Sequence, residues 1–368
     1  MPFHKNRLTG AGTALALAAI GAGTGWLIGL PLALLIGPMI ILTISAQRFP
    51  ALHIPQPLYA GSLIVLGLSL GQYFTPDLIA SWRHISASLV LNAIMSVLGM
   101  AMGFILLYRL FGLDPATAIF AGLPGGILTV MEVSRESSAD TSAVMFFQIS
   151  RIIMGASLIP LGFGLAGFEV PPGVPSQASS DHFTGLVDMT LLFGGGIITS
   201  LLGRKLRFPS AEISVPLIWS ALLYGSGVIN ITIPDWMPAL NFIIIGAAIG
   251  TFLPRPGLRI LIRLTTQTLI LFACFMVLTV IIALIARHFM GIGFGSGILI
   301  FSPAGLTEMI AVALALNMEP TLVAANNLFR MIFCSLLAPF ILIWLRQNAS
   351  ENRSASGKSG HCQTRSES

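Results

Sequence analysis

The sequence predicts an all-α integral membrane protein of two inverted repeats, each with about five transmembrane helices plus one re-entrant or broken helix. Three observations predict it. Hydrophobic residues make up 55% of the 368 and charged residues only 9%, whereas soluble domains carry roughly 25% charged residues. Apolar runs of about 16 to 25 residues follow one another along the chain; at about 1.5 Å per residue they approach or cross a hydrocarbon core of roughly 30 Å, where helices satisfy their own backbone. The segment 54–160 recurs 179 residues later as 233–339, without a gap.

The recurrence falls on residues with special backbones and on a lone arginine. Gly67 and Gly71 match Gly246 and Gly250, Gly112 matches Gly291, Pro124 and Gly126 match Pro303 and Gly305, Arg151 matches Arg330, and Pro160 matches Pro339. Two unrelated apolar stretches would pair Leu with Ile anywhere but would not keep these residues in step, so the chain carries an internal duplication.

In order, the first repeat (11–166) shows apolar segments at 11–29, 31–46, 57–74, 86–110, 113–133 and 141–166. The second (186–345) shows them at 186–203, 210–229, 236–253, 264–287, 292–316 and 321–345. Gly and Pro punctuate most junctions, as at Pro31, Pro50, Pro55 and Pro254. A Pro and Ser linker, 167–185, joins the halves, and a Ser-rich polar tail, 346–368, is expected to be disordered. His4, Lys5 and Arg7 precede the first apolar run, which lacks a small-residue cleavage site and is expected to stay as a first helix.

Arg48, Arg109, Arg204, Lys205, Arg207, Arg255, Arg259, Arg263 and Arg346 sit at segment ends that share one side by alternation. Positive residues in short loops favour the cytoplasm, so both termini are expected there, in a bacterial inner membrane, with the linker periplasmic. Arg83 and Arg287 are the exceptions. This sidedness needs an odd number of crossings per half, which inverts one half relative to the other, as in many secondary transporters.

The fifth segment of each half is the irregular one. It holds Leu123-Pro124-Gly125-Gly126 in the first copy and Ser302-Pro303-Ala304-Gly305 in the second. Proline removes a backbone donor and clashes with the preceding turn, and glycine weakens a helix further. Interrupted helices offer their end charges to a solute when they face a polar cavity. A Pro-kinked continuous helix is the plainer alternative.

Arg151 and Arg330 lie about nine residues into their segments, roughly 13 Å deep at 1.5 Å per residue. Such depth costs an arginine at least about 2.5 kcal/mol, so it is expected to face the bundle interior and have partners, either a bound solute or a structural group. Glu308 follows the second break by three residues and aligns with Thr129, while Glu132 lies elsewhere in the first copy. That asymmetry points to one proton- or cation-coupling carboxylate. Gln148, Asn326 and Asn327 lie about one turn before the arginines and present amides to the same region. The expected substrate site therefore comprises Pro124, Gly125, Gly126, Arg151, Pro303, Gly305, Thr307, Glu308, Asn327 and Arg330.

Other chemistries have no visible residues. Six histidines stand apart without metal-ligand spacing, and Cys274, Cys334 and Cys362 show no disulfide or ligand pattern, so no metal or cofactor is expected. Gly357-Lys358-Ser359 lacks the first glycine and the preceding strand of a phosphate loop. A net charge of +5 is spread over segment ends, and no basic soluble module exists to touch nucleic acid directly. The expected partners are the bilayer and a small solute or ion; a homodimer is one assembly the sequence allows.

The paired breaks, with the arginines in Phe147-Gln148-Ile149-Ser150-Arg151 and Asn327-Leu328-Phe329-Arg330, resemble the bacterial AbrB-duplication membrane family over about residues 15 to 345. Its members are labelled as transcriptional regulators or ammonia monooxygenases. The first copy departs from the family's Pro-Gly-Gly-x-x-Glu-Met form at Thr129. The expectation is a non-enzymatic secondary transporter of a small anionic metabolite coupled to a proton or cation. The alternatives are a membrane-embedded regulator acting indirectly on gene expression and, third, a subunit of a membrane oxidase.

Overall fold

The computed structural model describes residues 2–72, 82–125, 127–168, 186–206, 208, 211–229, 231, 233, 234, 236–254 and 258–363; among them are helices and loops but no strand. Of the linker only 167 and 168 are described, and Gly126 also lies outside the described residues. In chain order the helices are α1 (Pro2–Leu27), α2 (Ala33–Arg48), α3 (Gln56–Gly71), α4 (Trp82–Ile105), α5 (Pro115–Gly122), α6 (Ile127–Arg135) and α7 (Thr141–Leu165). After the linker come α8 (Leu186–Lys205), α9 (Ala211–Gly225), α10 (Trp236–Phe252), α11 (Leu258–Met290), α12 (Phe294–Phe301), α13 (Leu306–Ala315) and α14 (Pro320–Gln363). A π-helical turn, Leu106–Leu110, extends α4.

The chain is a membrane protein. Among the described residues five stretches are long and apolar enough to cross a bilayer: Gly10–Leu27, Ile85–Leu110, Thr141–Leu165, Arg259–Met290 and Pro320–Trp344. Helices α2, α3, α9 and α10 have 15 to 17 residues, about 22 to 26 Å at 1.5 Å per residue, shorter than a full hydrocarbon core. Prolines and glycines at their ends set that length, so several expected spans are shorter than five full crossings per half would need. Helix α14 continues past Trp344 to Gln363, where composition predicts an unstructured tail; elongating an existing helix needs no new nucleus.

Each fifth segment is divided into two short helices, and local sterics explain where. A residue before proline is pushed out of the α region. Leu123, before Pro124, is extended at φ −69°, ψ 121°, and Ser302, before Pro303, at φ −64°, ψ 147°. Helices α5 and α12 therefore stop there, and α6 and α13 start beyond. The Asp114 carboxylate caps α5 by accepting from the Thr117 amide at 2.9 Å, and Asp140 caps α7 by accepting from Ser142 and Ala143. The Thr117 hydroxyl accepts from the Asp140 amide at 2.7 Å, which ties the starts of α5 and α7 together.

The helices pack as two groups. In one, α3 lies along α9 and α2 along α10, with α1 and α8 outside; in the other, α4 to α7 pack with α11 to α14. The groups meet chiefly where α7 touches α2 and α10. Close approach within the first group depends on small residues. Gly246 lies against the Leu35 carbonyl and Gly250 against that of Met39; Gly67 lies against Ile213, and Gly71 against Ser220, whose hydroxyl donates to the Leu68 carbonyl at 2.6 Å.

A side chain at Gly246 would meet the α2 backbone, whereas one at Gly164 would meet nothing within 4 Å. Overpacking of this kind costs about 1–3 kcal/mol. Thermal unfolding in detergent is expected to show Gly246→Val with a clearly lowered midpoint and Gly164→Ala unchanged; equal midpoints would contradict the close α2–α10 contact.

Candidate functional site

A cavity of about 340 Å³ opens between the two helix groups. Both helix breaks face it. Of the residues expected from sequence, Pro124, Gly125, Arg151, Pro303, Gly305, Thr307, Glu308, Asn327 and Arg330 all line it, and Gln148 joins them. Gly126 and the side chains of Thr129 and Glu132 lie outside the described residues. Asn326 is turned elsewhere: it donates to Ser88 Oγ at 2.9 Å and its carbonyl accepts from Asn92, which fastens α14 to α4.

A helix that stops inside protein leaves carbonyls without partners and a partial negative charge at its C-terminus. Here α7 and α14 supply the donors. Arg151, 3% exposed, donates from Nη1 to the Leu123 carbonyl at 3.2 Å and from Nη2 to Gln148 Oε1 at 2.6 Å. Gln148 in turn donates to the Phe120 and Leu123 carbonyls at 2.9 and 3.0 Å. Arg330 donates from Nη1 to the Ser302 carbonyl and from Nη2 to the Ala304 carbonyl and Asn327 Oδ1, at 2.8 and 2.6 Å for the latter two. Asn327 donates to the Leu299 carbonyl at 3.3 Å. A positive fork is thus fixed at each negative helix end by an amide one turn away. The Arg151 guanidinium also lies 5.9 Å from the centre of the Phe275 ring, within cation–π range.

These arrangements leave some buried polar atoms open. Arg151 Nε is buried with no hydrogen-bond partner among the described residues. Glu308, 1% exposed in the first turn of α13, accepts from the Thr307 hydroxyl at 2.6 Å through Oε1, while its buried Oε2 has no partner. No Lys, Arg or His nitrogen among the described residues lies within ion-pair distance of this carboxylate. It is tucked against Gly305, where any side chain would collide with it. The arginines, for which the sequence left a bound solute or a structural group as partner, are engaged by backbone carbonyls.

Sequence reasoning missed the opposite wall. Gln56 and Tyr59 on α3, Glu212 on α9 and Phe252 on α10 line the cavity, as does Arg135 at the end of α6. Tyr59 packs edge-on against Phe252 at 5.3 Å. Glu212 pairs with Arg204 at 3.5 Å, with 18% and 59% of the two side chains exposed, a half-solvated pair of small energetic weight. The available signal was a polar tip on an apolar helix at Tyr59, which does not by itself name a neighbour. Among the described residues no three His, Cys, Asp or Glu side chains gather as a metal site.

Comparison with known proteins gives three matches that span most of the chain. The family model described as "Transition state regulatory protein AbrB" matches residues 34–346. A protein of Escherichia coli (strain K12) named as a regulator, AbrB, is 25% identical over 320 residues, 85% of this chain and 89% of the relative. The protein YhjN of Bacillus subtilis (strain 168) is 23% identical over 354 residues, 89% and 91% of the two chains.

Arg330→Leu would leave the Ser302 and Ala304 carbonyls and Asn327 Oδ1 without their donor, at about 1–3 kcal/mol for each buried unsatisfied group. Glu308→Gln removes no such donor. The thermal midpoint of Arg330→Leu is expected well below that of Glu308→Gln, with Arg330→Lys between them. An Arg330→Leu protein as stable as the wild type would show that the guanidinium does not secure the break.

Proposed function

We propose a transport role for this chain, which belongs to the AbrB family: secondary transport of a small anionic solute, coupled to a proton or cation at Glu308. The observation that carries the proposal is the convergence of two interrupted helices, two buried guanidiniums and one unpaired buried carboxylate on a single cavity between two helix groups. A cavity at the seam between groups can open to either side when one group moves against the other, which is what alternating access requires.

The two-repeat organisation has further support. Helices α5 and α12 span 115–122 and 294–301, and α7 and α14 begin at 141 and 320, each pair 179 residues apart. The arginine contacts to residues 123 and 302 and the glycines at φ +69°, Gly112 and Gly291, keep the same offset. Gly125 packs on Cys334 and Ala304 on Gly155, so each break is braced by the other half as well as by its own. Helices α2 and α10 pack together, as do α3 and α9, an exchange that suits two halves related by an in-plane twofold axis. Inverted halves, an inner-membrane location and cytoplasmic termini belong to this proposal.

The electrostatics favour an anion. Two guanidiniums and the N-terminus of α13 bring positive charge to the cavity, and an ionised Glu308 opposes it. A proton or cation on Glu308 removes that opposition, so solute and coupling ion each raise the other's affinity, as linkage demands. A regulatory effect of the kind named for the Escherichia coli relative would follow indirectly from a changed solute level. A sensor without transport is the second reading, and the relative's name is what favours it.

Uptake into proteoliposomes separates these. Wild type should accumulate an anion when a pH or cation gradient is imposed, Glu308→Gln should exchange solute but lose accumulation, and Arg151→Lys should lower the initial rate by tenfold or more. Undiminished, gradient-driven uptake in both variants would remove the mechanism, and loss of function only on deleting 347–368 would favour the sensor.

A further inference from the structure

The two walls of the cavity differ in kind. The arginines, Asn327, Thr307 and Glu308 stand on one, from the second helix group. Facing them from α3 and α10 are Leu63, Ile245, Ile249 and Phe252, and Met131 and Met331 lie at the flanks. Beside these side chains a small, wholly hydrophilic anion would turn oxygens toward carbon, where an unpaired polar group is costly, and the donors this wall offers are Gln56 and Tyr59 at the α3 side. A solute with an apolar body would instead remove both surfaces from water.

The charge balance is also informative. Each guanidinium is partly offset by the C-terminal end of α5 or α12, equivalent to roughly half a negative charge each. With Glu308 neutralised, about one positive charge remains from the guanidiniums, to which the N-terminus of α13 adds roughly half a charge, while Arg135 and Glu212 on the lining carry opposite signs. Arg151 and Arg330 both line the cavity, so the exposed edges of their guanidiniums are what a solute would meet. The volume of about 340 Å³ corresponds to roughly eleven water-sized shares of about 30 Å³, room for about ten to a dozen non-hydrogen atoms.

From these observations we infer that the solute is an amphipathic organic monoanion, its carboxylate-class head at Arg151 beside Arg330 and its apolar body along Leu63, Ile245, Ile249 and Phe252. This rests on the cavity being the substrate site proposed above, and it holds whether the protein carries the solute or senses it. Flexible methionine thioethers at the flanks suit apolar bodies of more than one shape.

Calorimetric binding to the full chain in nanodiscs tests the inference, with a series of straight-chain monocarboxylates from two to ten carbons, matched dicarboxylates, the corresponding primary alcohols and inorganic phosphate as probes. Affinity for monocarboxylates should rise about fourfold per methylene to roughly eight carbons and then level or fall as the volume fills. Alcohols and dicarboxylates should bind at least tenfold more weakly at equal length. Leu63→Ser should flatten the chain-length slope while sparing the shortest acid, and Arg151→Lys should weaken every acid alike. Should either variant fail to fold, the wild-type slope still decides. Tightest binding of phosphate or a dicarboxylate, a slope of zero, a slope that continues unbroken to ten carbons as for bilayer partition, or no binding by any probe would overturn the inference. Chain-length-dependent binding without uptake would retain it and remove the transport proposal; uptake of hydrophilic anions alone would do the reverse.

Discussion

A helix that stops inside an apolar bundle leaves carbonyl groups that water cannot reach, and α5 and α12 each end in such a stop. The rest of the site is arranged around them. Arg151 with Gln148, and Arg330 with Asn327, donate to the last carbonyls of the interrupted helices. Breaking a helix beside a proline is locally inexpensive in sequence terms, but it is tolerable only where donors are delivered from another element. The guanidinium satisfies two demands at once, because its fork reaches carbonyls while its charge opposes the helix end. A lysine at either position would bring the charge without the planar fork.

The proposed function follows from what this bracing leaves over. The arginines are held by backbone, so they keep their place whether or not a solute is present and offer a pre-formed positive wall, with little reorganisation on binding. Glu308 is different: among the described residues nothing cationic holds it, and one of its oxygens has no partner. A buried carboxylate in that state is suited to gain and lose a proton or cation, and its neighbour Gly305 is the one residue type that leaves room for it. The seam between the helix groups puts this switchable charge against a largely apolar surface on α3 and α10.

Much of this was legible in the sequence because its causes are local. Pro124 and Pro303 fix where α5 and α12 end, since the clash with the residue before proline needs no tertiary context. The spacing of Gln148 to Arg151 and of Asn327 to Arg330 already put amide and guanidinium on one helical face. The 179-residue register brought Gly112 and Gly291 together as turn glycines, and both adopt the left-handed conformation. What was not legible is non-local. That backbone carbonyls, rather than a carboxylate, hold the arginines depends on α5 and α12 docking 28 residues upstream. The facing wall of Leu63, Tyr59, Ile249 and Phe252 comes from helices remote in sequence, and apolar residues there look the same as any lipid-facing or core position. Helix length was over-read as well, since an apolar run such as 57–74 includes residues beyond the end of α3 at Gly71.

The most direct test of this account is a solute-bound structure determined in a lipid bilayer at a resolution that places side chains. An anionic head group is expected within hydrogen-bond distance of Arg151 in the cavity between the helix groups, with the Leu123 and Ser302 carbonyls still held by Arg151 and Arg330. Solute bound elsewhere, or guanidiniums released from those carbonyls and turned to the lipid headgroups, would contradict it.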